Sequence, residues 1–131
     1  MSPTLVTLVI LAPVLAQAAA APAINAIATA SAFGGYSGVA AAASYVEIYG
    51  SNLAGTTRGW TADDFTAAAA PTSLDGVSVT VNGTPAYVSY VSPSQVNAEI
   101  PDGVPAGVAS VVVSYQGQSS TPTPLNINAA Q

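Results

Sequence analysis

The run Val77-Ser78-Val79-Thr80-Val81 alternates strictly between apolar and hydroxyl side chains, meets Asn82-Gly83, and resumes as an extended pattern from Thr84 to Val91. Period-2 alternation sends every valine to one face and every hydroxyl to the other, as a half-buried strand requires. Asn and Gly both tolerate the positive φ of a type I′ turn, whose twist matches the flanking strands. The spacing therefore predicts a hairpin. A sheet with one apolar face must bury that face against another layer.

The rest of the chain supplies that layer in the same language. Ala23 to Ile27 reads as a short opening strand, and Ser31 to Ala43, with Gly34, Gly35 and Gly38, as a loop. In Tyr45 to Tyr49, Val46 and Ile48 take one face while Tyr45, Glu47 and Tyr49 take the other. A long connection, Gly50 to Pro71, contains Thr61-Ala62-Asp63-Asp64, which has the form of a capping box opening a short turn with Phe65 as apolar anchor. Val96, Ala98 and Ile100 form the inward side of a further strand. A last hairpin spans Val108 to Asn128 about Gln116-Gly117-Gln118. The expectation is an all-β, immunoglobulin-like sandwich of about seven strands, residues 22–131, preceded by an apolar N-terminal segment, residues 1–21.

Charge decides which functions remain open. The seven charged residues are Arg58, Glu47, Asp63, Asp64, Asp75, Glu99 and Asp102, about a fifth of the usual share, and there is no Lys, His or Cys. The side chain that titrates near neutrality is missing, with the thiol nucleophile and the Schiff-base amine. Imidazole and thiolate metal sites are equally out of reach, so no cofactor or metal is expected. A net charge of −5 with a single cation cannot assemble a phosphate-binding patch, which excludes nucleic acid. A surface so poor in charge has little protection against association, and suits a protein covered by copies of itself, by a larger assembly or by glycan.

The N-terminal segment has two readings. Leu5 to Leu11 is an apolar run broken by Pro13, too short for a membrane helix, and Ala16-Gln17-Ala18 offers a leader-type cleavage site. A leader would place the protein outside the cell, secreted or at the cell surface, with no spanning segment in the mature chain. The same run is rich in β-branched residues, and a strand apolar on both faces must be buried. Leu5, Val6, Leu8, Val9, Ile10 and Leu11 are then the candidate strand inserted into a neighbouring subunit.

Each remaining polar group has a bland and a sharp reading. Asp63, Asp64 and Asp75 are candidate calcium ligands, but the loop lacks the D-x-D-x-D-G spacing, so capping and turn roles are expected. Glu47 and Glu99 would be the pair of a glycosidase, or carboxylates on outward strand faces. Arg58 either pins the long connection through Asp63, Asp64 or Trp60, or anchors a ligand beside Trp60. Tyr45 and Tyr49 share a strand face and, with Trp60, would stack on polysaccharide or form a subunit interface. Tyr87 and Tyr90, three apart, are expected on opposite faces. Asn82-Gly83-Thr84 is formally a glycosylation sequon, although the turn already explains Asn and Gly.

Val46-Glu47-Ile48-Tyr49-Gly50-Ser51-Asn52-Leu53-Ala54, a strand ending in a Gly-x-x-Leu turn, resembles the opening signature of IPT/TIG immunoglobulin-like domains. Thr57 to Trp60, Asp64-Phe65, Pro71 to Gly83, Pro85 to Val88 and Ser92 to Asn97 narrow the resemblance to the Solibacter-type C-terminal domain family. That family implies a secreted, non-catalytic β-sandwich, usually attached to the end of large exported proteins. Here the domain is expected to follow its leader directly, with no carrier. The expected function is a structural building block of the cell exterior that assembles with copies of itself, with a carbohydrate-binding module as the alternative.

Overall fold

The computed structural model describes residues 3–9, 20–30 and 37–129. Its strands, in chain order, are β1 (Ala23–Thr29), β2 (Val39–Ala41), β3 (Tyr45–Ser51), β4 (Arg58–Gly59), β5 (Ser73–Leu74), β6 (Val77–Val81), β7 (Thr84–Pro85), β8 (Tyr87–Val91), β9 (Gln95–Glu99), β10 (Gly107–Tyr115), β11 (Gln118–Ser119) and β12 (Thr123–Asn128). They form two sheets. One runs β1-β3-β9-β8-β4, the other β2-β12-β10-β6-β5, with β11 and β7 paired to β10 and β6. The pairing of β2 with β12 is parallel and the others are antiparallel. The sandwich expected from the alternation is the fold observed. Among the described residues no helix is long and apolar enough to cross a membrane.

The core lies between the sheets and is built from the residues the alternation turns inward. Val77, Val79, Val81, Val111, Val113 and Leu125 face Val46, Ile48, Val88, Val91, Val96 and Ala98, and each is at most 1% exposed. Removing one such branched side chain from water contributes about 1.5–3 kcal/mol. The buried Ser120 side chain is satisfied, its hydroxyl oxygen accepting a hydrogen bond from the Val113 N–H at 2.9 Å. The turns carry the expected strain-tolerant residues: Asn82 and Gly83 adopt φ of 52° and 79°. Asn82 adds a bond of its own, its side-chain oxygen accepting from the Ser110 N–H at 2.8 Å.

Three local features depart from the sequence expectation. The extended run Thr84 to Val91 is two strands rather than one, because the chain changes sheets at Ala86, which is fully buried. β7 pairs with β6, whereas β8 belongs to the opposite sheet. Alternation cannot distinguish a strand that stays from one that crosses, since both continue to turn every second side chain inward. The stretch expected as loop from Ser31 to Ala43 contains β2, and its residues 31–36 lie outside the described residues.

The third departure is a β-bulge. The β8–β9 register shifts between Val88 and Tyr90, so that Tyr87 pairs with Glu99 and Tyr90 with Asn97. Glu99 and Asn97 are two apart on β9 and share a face, which places Tyr87 and Tyr90 together rather than on opposite faces. One extra residue, Ser89, resets the alternation. It also lets both Val88 and Val91 enter the core.

Candidate functional site

Two groupings of polar and aromatic side chains result from this architecture, and they hold the sequence candidates separately. The first surrounds Arg58 on β4. Its guanidinium makes paired bonds to Asp64 (Nη1 to Oδ2 and Nη2 to Oδ1, both 2.9 Å). It also bonds Asp75, with Nη2 at 2.9 Å and Nε at 3.0 Å from Oδ1. The second Nη1 hydrogen goes to the Gly59 carbonyl at 3.1 Å. All five N–H donors are thereby engaged, which leaves the group none to offer a ligand anchored by its fork. Asp64 in turn accepts from the Thr61 N–H at 2.7 Å, the back-reaching half of the expected capping box at the 3-10 turn Ala62–Asp64. Asp75 accepts from the Thr56 hydroxyl at 2.5 Å.

Sequence proximity pointed to Asp63 and Asp64 as partners. Asp75, seventeen residues from Arg58, joins because the β5–β6 turn comes beside the long connection. Two of the three candidate calcium carboxylates thus hold a cation supplied by the chain itself. Trp60 packs edge-on against Phe65, with ring centroids 5.1 Å apart, and lies partly buried against the core.

This knot has a pH signature. Hydrogen bonds from Arg58, reinforced by the Thr61 N–H at Asp64 and the Thr56 hydroxyl at Asp75, hold both carboxyls below the usual carboxylate range. A folded-state pKa lower than the unfolded one, about 3.9 for Asp, contributes stability that is complete above that value and is lost as pH falls through the folded pKa. The melting temperature should therefore drop below about pH 4. In Arg58→Gln the two carboxylates face each other without a cation, so the deficit against the native chain should be largest at pH 7 and narrow toward pH 3. Melting curves of both proteins across that range check it; a pH-independent deficit would remove the knot from the account.

The second grouping is the outer face of the β1-β3-β9-β8-β4 sheet. Register places Tyr45 on β3, Glu99 on β9 and Tyr87 on β8 in one row across the strands. Glu47, Asn97 and Tyr90 form the next row, and Tyr49 and Gln95 the third. Tyr45, Tyr87 and Tyr49 are 42%, 39% and 37% exposed. The Tyr49 hydroxyl donates to the Glu47 carboxylate two residues back, so its ring leans along the strand over the sheet. That bond, then burial and the carboxylate charge, raise the Tyr49 pKa; at Tyr45 burial comes first, followed by the charge and hydrogen bonding of Glu99. The Gln95 amide donates to the Asn97 side-chain oxygen at 2.9 Å.

The structure thus gathers Tyr45 and Tyr49 with Tyr87, Tyr90, Glu47 and Glu99, and leaves Arg58 and Trp60 in the neighbouring knot. Sequence alternation found Tyr45 and Tyr49. It missed Tyr90, because only the bulge at Ser89 turns that residue outward. Of the candidate inserted strand, Leu5, Val6, Leu8 and Val9 are 88%, 84%, 77% and 74% exposed and lie in no strand, while Ile10 and Leu11 lie outside the described residues. Tyr36 and the cleavage motif Ala16-Gln17-Ala18 also lie outside them.

A sandwich of two such sheets with a Gly-x-x-Leu turn after its second long strand is an immunoglobulin-like module. The IPT/TIG domain model matches residues 28–127, and the chain belongs to that family. No curated protein matches the chain.

Proposed function

We propose that this chain is a non-catalytic structural module of the cell exterior, of the Solibacter-type C-terminal kind, that assembles with copies of itself by strand addition. The observation that carries the reading is the segment Leu5 to Val9, whose four large apolar side chains stand at least 74% exposed, whereas among the described residues of the sandwich Val108, at 71%, is the one large aliphatic exposed to a similar degree. Such a segment loses free energy to water at every side chain, and regains it by entering an apolar site on a neighbour. An acceptor of suitable chemistry is present in β1, a seven-residue edge strand with neither charge nor proline. Edge strands in natural sheets usually carry lysines, prolines or bulges that discourage pairing with another chain. β1 has one bulge near Asn25 and no charged side chain. Among the described residues, Ser37 and Gly38 meet its outer edge near Ile27 and Ala28 and none pairs with the outer edge at the Ala23 end, where an incoming strand would add. The non-catalytic part of the reading draws on the missing His, Lys and Cys, and on the engagement of Arg58 by two carboxylates.

Light scattering and electron microscopy of the full chain test it. The native protein should form oligomers or filaments, and a Val6→Asp/Leu8→Asp chain should run as a monomer with an unchanged melting temperature. A native protein that stays monomeric, or whose native N-terminus begins near Ala19, would overturn strand addition by this segment.

A further inference from the structure

We propose that the tyrosine-lined outer face of the β1-β3-β9-β8-β4 sheet is a binding site for an uncharged polysaccharide. This site is separate from the N-terminal segment and does not depend on assembly. Three properties of the face define its ligand. Tyr45 and Tyr49 on β3 and Tyr87 and Tyr90 on β8 emerge on one side of the sheet with β9 between them, spread about 13 Å along the strands and about 10 Å across them. That spread suits an extended chain of rings rather than a single small molecule. Aromatic faces stack on the apolar C–H faces of sugar rings, and the tyrosine hydroxyls add a polar handle at the edge of each contact.

Between the rings sit Glu47, Glu99 and the amides of Gln95 and Asn97, acceptors and donors at the spacing of a sheet. They match the hydroxyls of a sugar polymer, which can donate to a carboxylate and accept from an amide. The bond from Tyr49 to Glu47 fixes one ring before any ligand arrives, so less side-chain freedom is lost on binding.

Charge excludes the rival occupants. The face carries two carboxylates and no cation, which repels an anionic polymer. A second copy of this chain is equally unsuited. Its single cation, Arg58, is committed to Asp64 and Asp75, so docking would bury Glu47 and Glu99 with nothing to neutralise them. An unpaired buried charge is among the costlier outcomes at an interface. The bulge at Ser89 adds a structural indication. It costs a ladder position on β8, and its effect on the outer face is to bring Tyr90 into the patch.

Affinity electrophoresis of the full-length chain through gels containing xyloglucan, mixed-linkage β-glucan or galactomannan, with polygalacturonate as the anionic control, tests the proposal. Retardation is expected in at least one neutral gel and not in polygalacturonate. Tyr45→Ala/Tyr49→Ala should weaken that binding by about tenfold or more, the factor that the loss of stacking contacts implies. Its melting temperature should fall by a few degrees at most while unfolding stays cooperative, because both rings lie on the outer face and neither belongs to the core. Tyr49→Phe, which keeps the ring and releases Glu47, should bind more weakly than the native chain and more tightly than the double variant. No retardation in any neutral gel, equal retardation by polygalacturonate, or full binding by the folded double variant would each overturn the assignment.

Discussion

Truncating Leu53 to alanine should destabilise the domain by about 3–4 kcal/mol, lowering its melting temperature by roughly 12–16 °C. Leu53 is fully buried although it sits in a connection rather than a strand. It follows β3 through Ser51 and Asn52, the latter at φ 55°, a left-handed turn that an Asn tolerates. The turn drives the Leu53 side chain back between the sheets, and its N–H donates to the Pro93 carbonyl at 3.1 Å. A leucine so placed is enclosed on every side, and the cavity left by three lost carbons has little freedom to collapse. Urea or thermal unfolding of the variant measures the effect. A loss below about 1 kcal/mol would mean that the connection relaxes into the space, and that Leu53 is not the plug that the burial implies.

The second large effect is expected at Gly50, five residues after the start of β3 and the first residue of the same Gly-x-x-Leu turn. A Cβ added there would lie 1.9 Å from the Ala23 carbonyl oxygen and 3.0 Å from its carbon, both backbone atoms of the paired strand β1. Neither can swing aside as a side chain would. Gly50→Ala should therefore cost about 3 kcal/mol, near the top of the range for overpacking, with β1 forced away from β3 at its start. Hydrogen exchange should show the amides of β1 losing protection before those of β3 and β9. Gly55→Ala is the matched contrast. There the added carbon meets the Tyr115 hydroxyl at 2.2 Å, the far end of a flexible side chain, and a smaller loss is expected. Gly103→Ala, with nothing within 4 Å, should be close to neutral. Equal losses at Gly50 and Gly103 would show that β1 does not pack against β3 as described.

Together these two positions give the Gly-x-x-Leu turn a physical meaning. The glycine admits the neighbouring edge strand at close range, and the leucine closes the core beneath the long connection. The pattern is readable in the sequence, but what each residue touches is not: Ala23 lies 27 positions before Gly50, and Pro93 lies 40 after Leu53.

The Arg58 knot shows the same division from another side. That a lone cation among acids finds a carboxylate is an electrostatic expectation needing no coordinates. That it finds two, one of them Asp75, follows from how the β5–β6 turn is set beside the long connection. A guanidinium with every donor occupied is part of the scaffold and has no N–H left for a ligand.

What the sequence determined by itself was local. Alternation named the inward valines, Asn82-Gly83 and Asp75-Gly76 named tight turns, and the missing His, Lys and Cys limited the chemistry to carboxylates, amides, hydroxyls and rings. These are properties of a residue and its immediate neighbours, set by backbone sterics and side-chain chemistry. Tertiary structure decided the change of sheet at Ala86, the parallel edge strand β2, and the bulge that brings Tyr90 beside Tyr87. Each depends on which strand lies alongside. Period-2 alternation records only that a side chain points inward or outward, and carries no label for the partner strand or for a single inserted residue that resets the count.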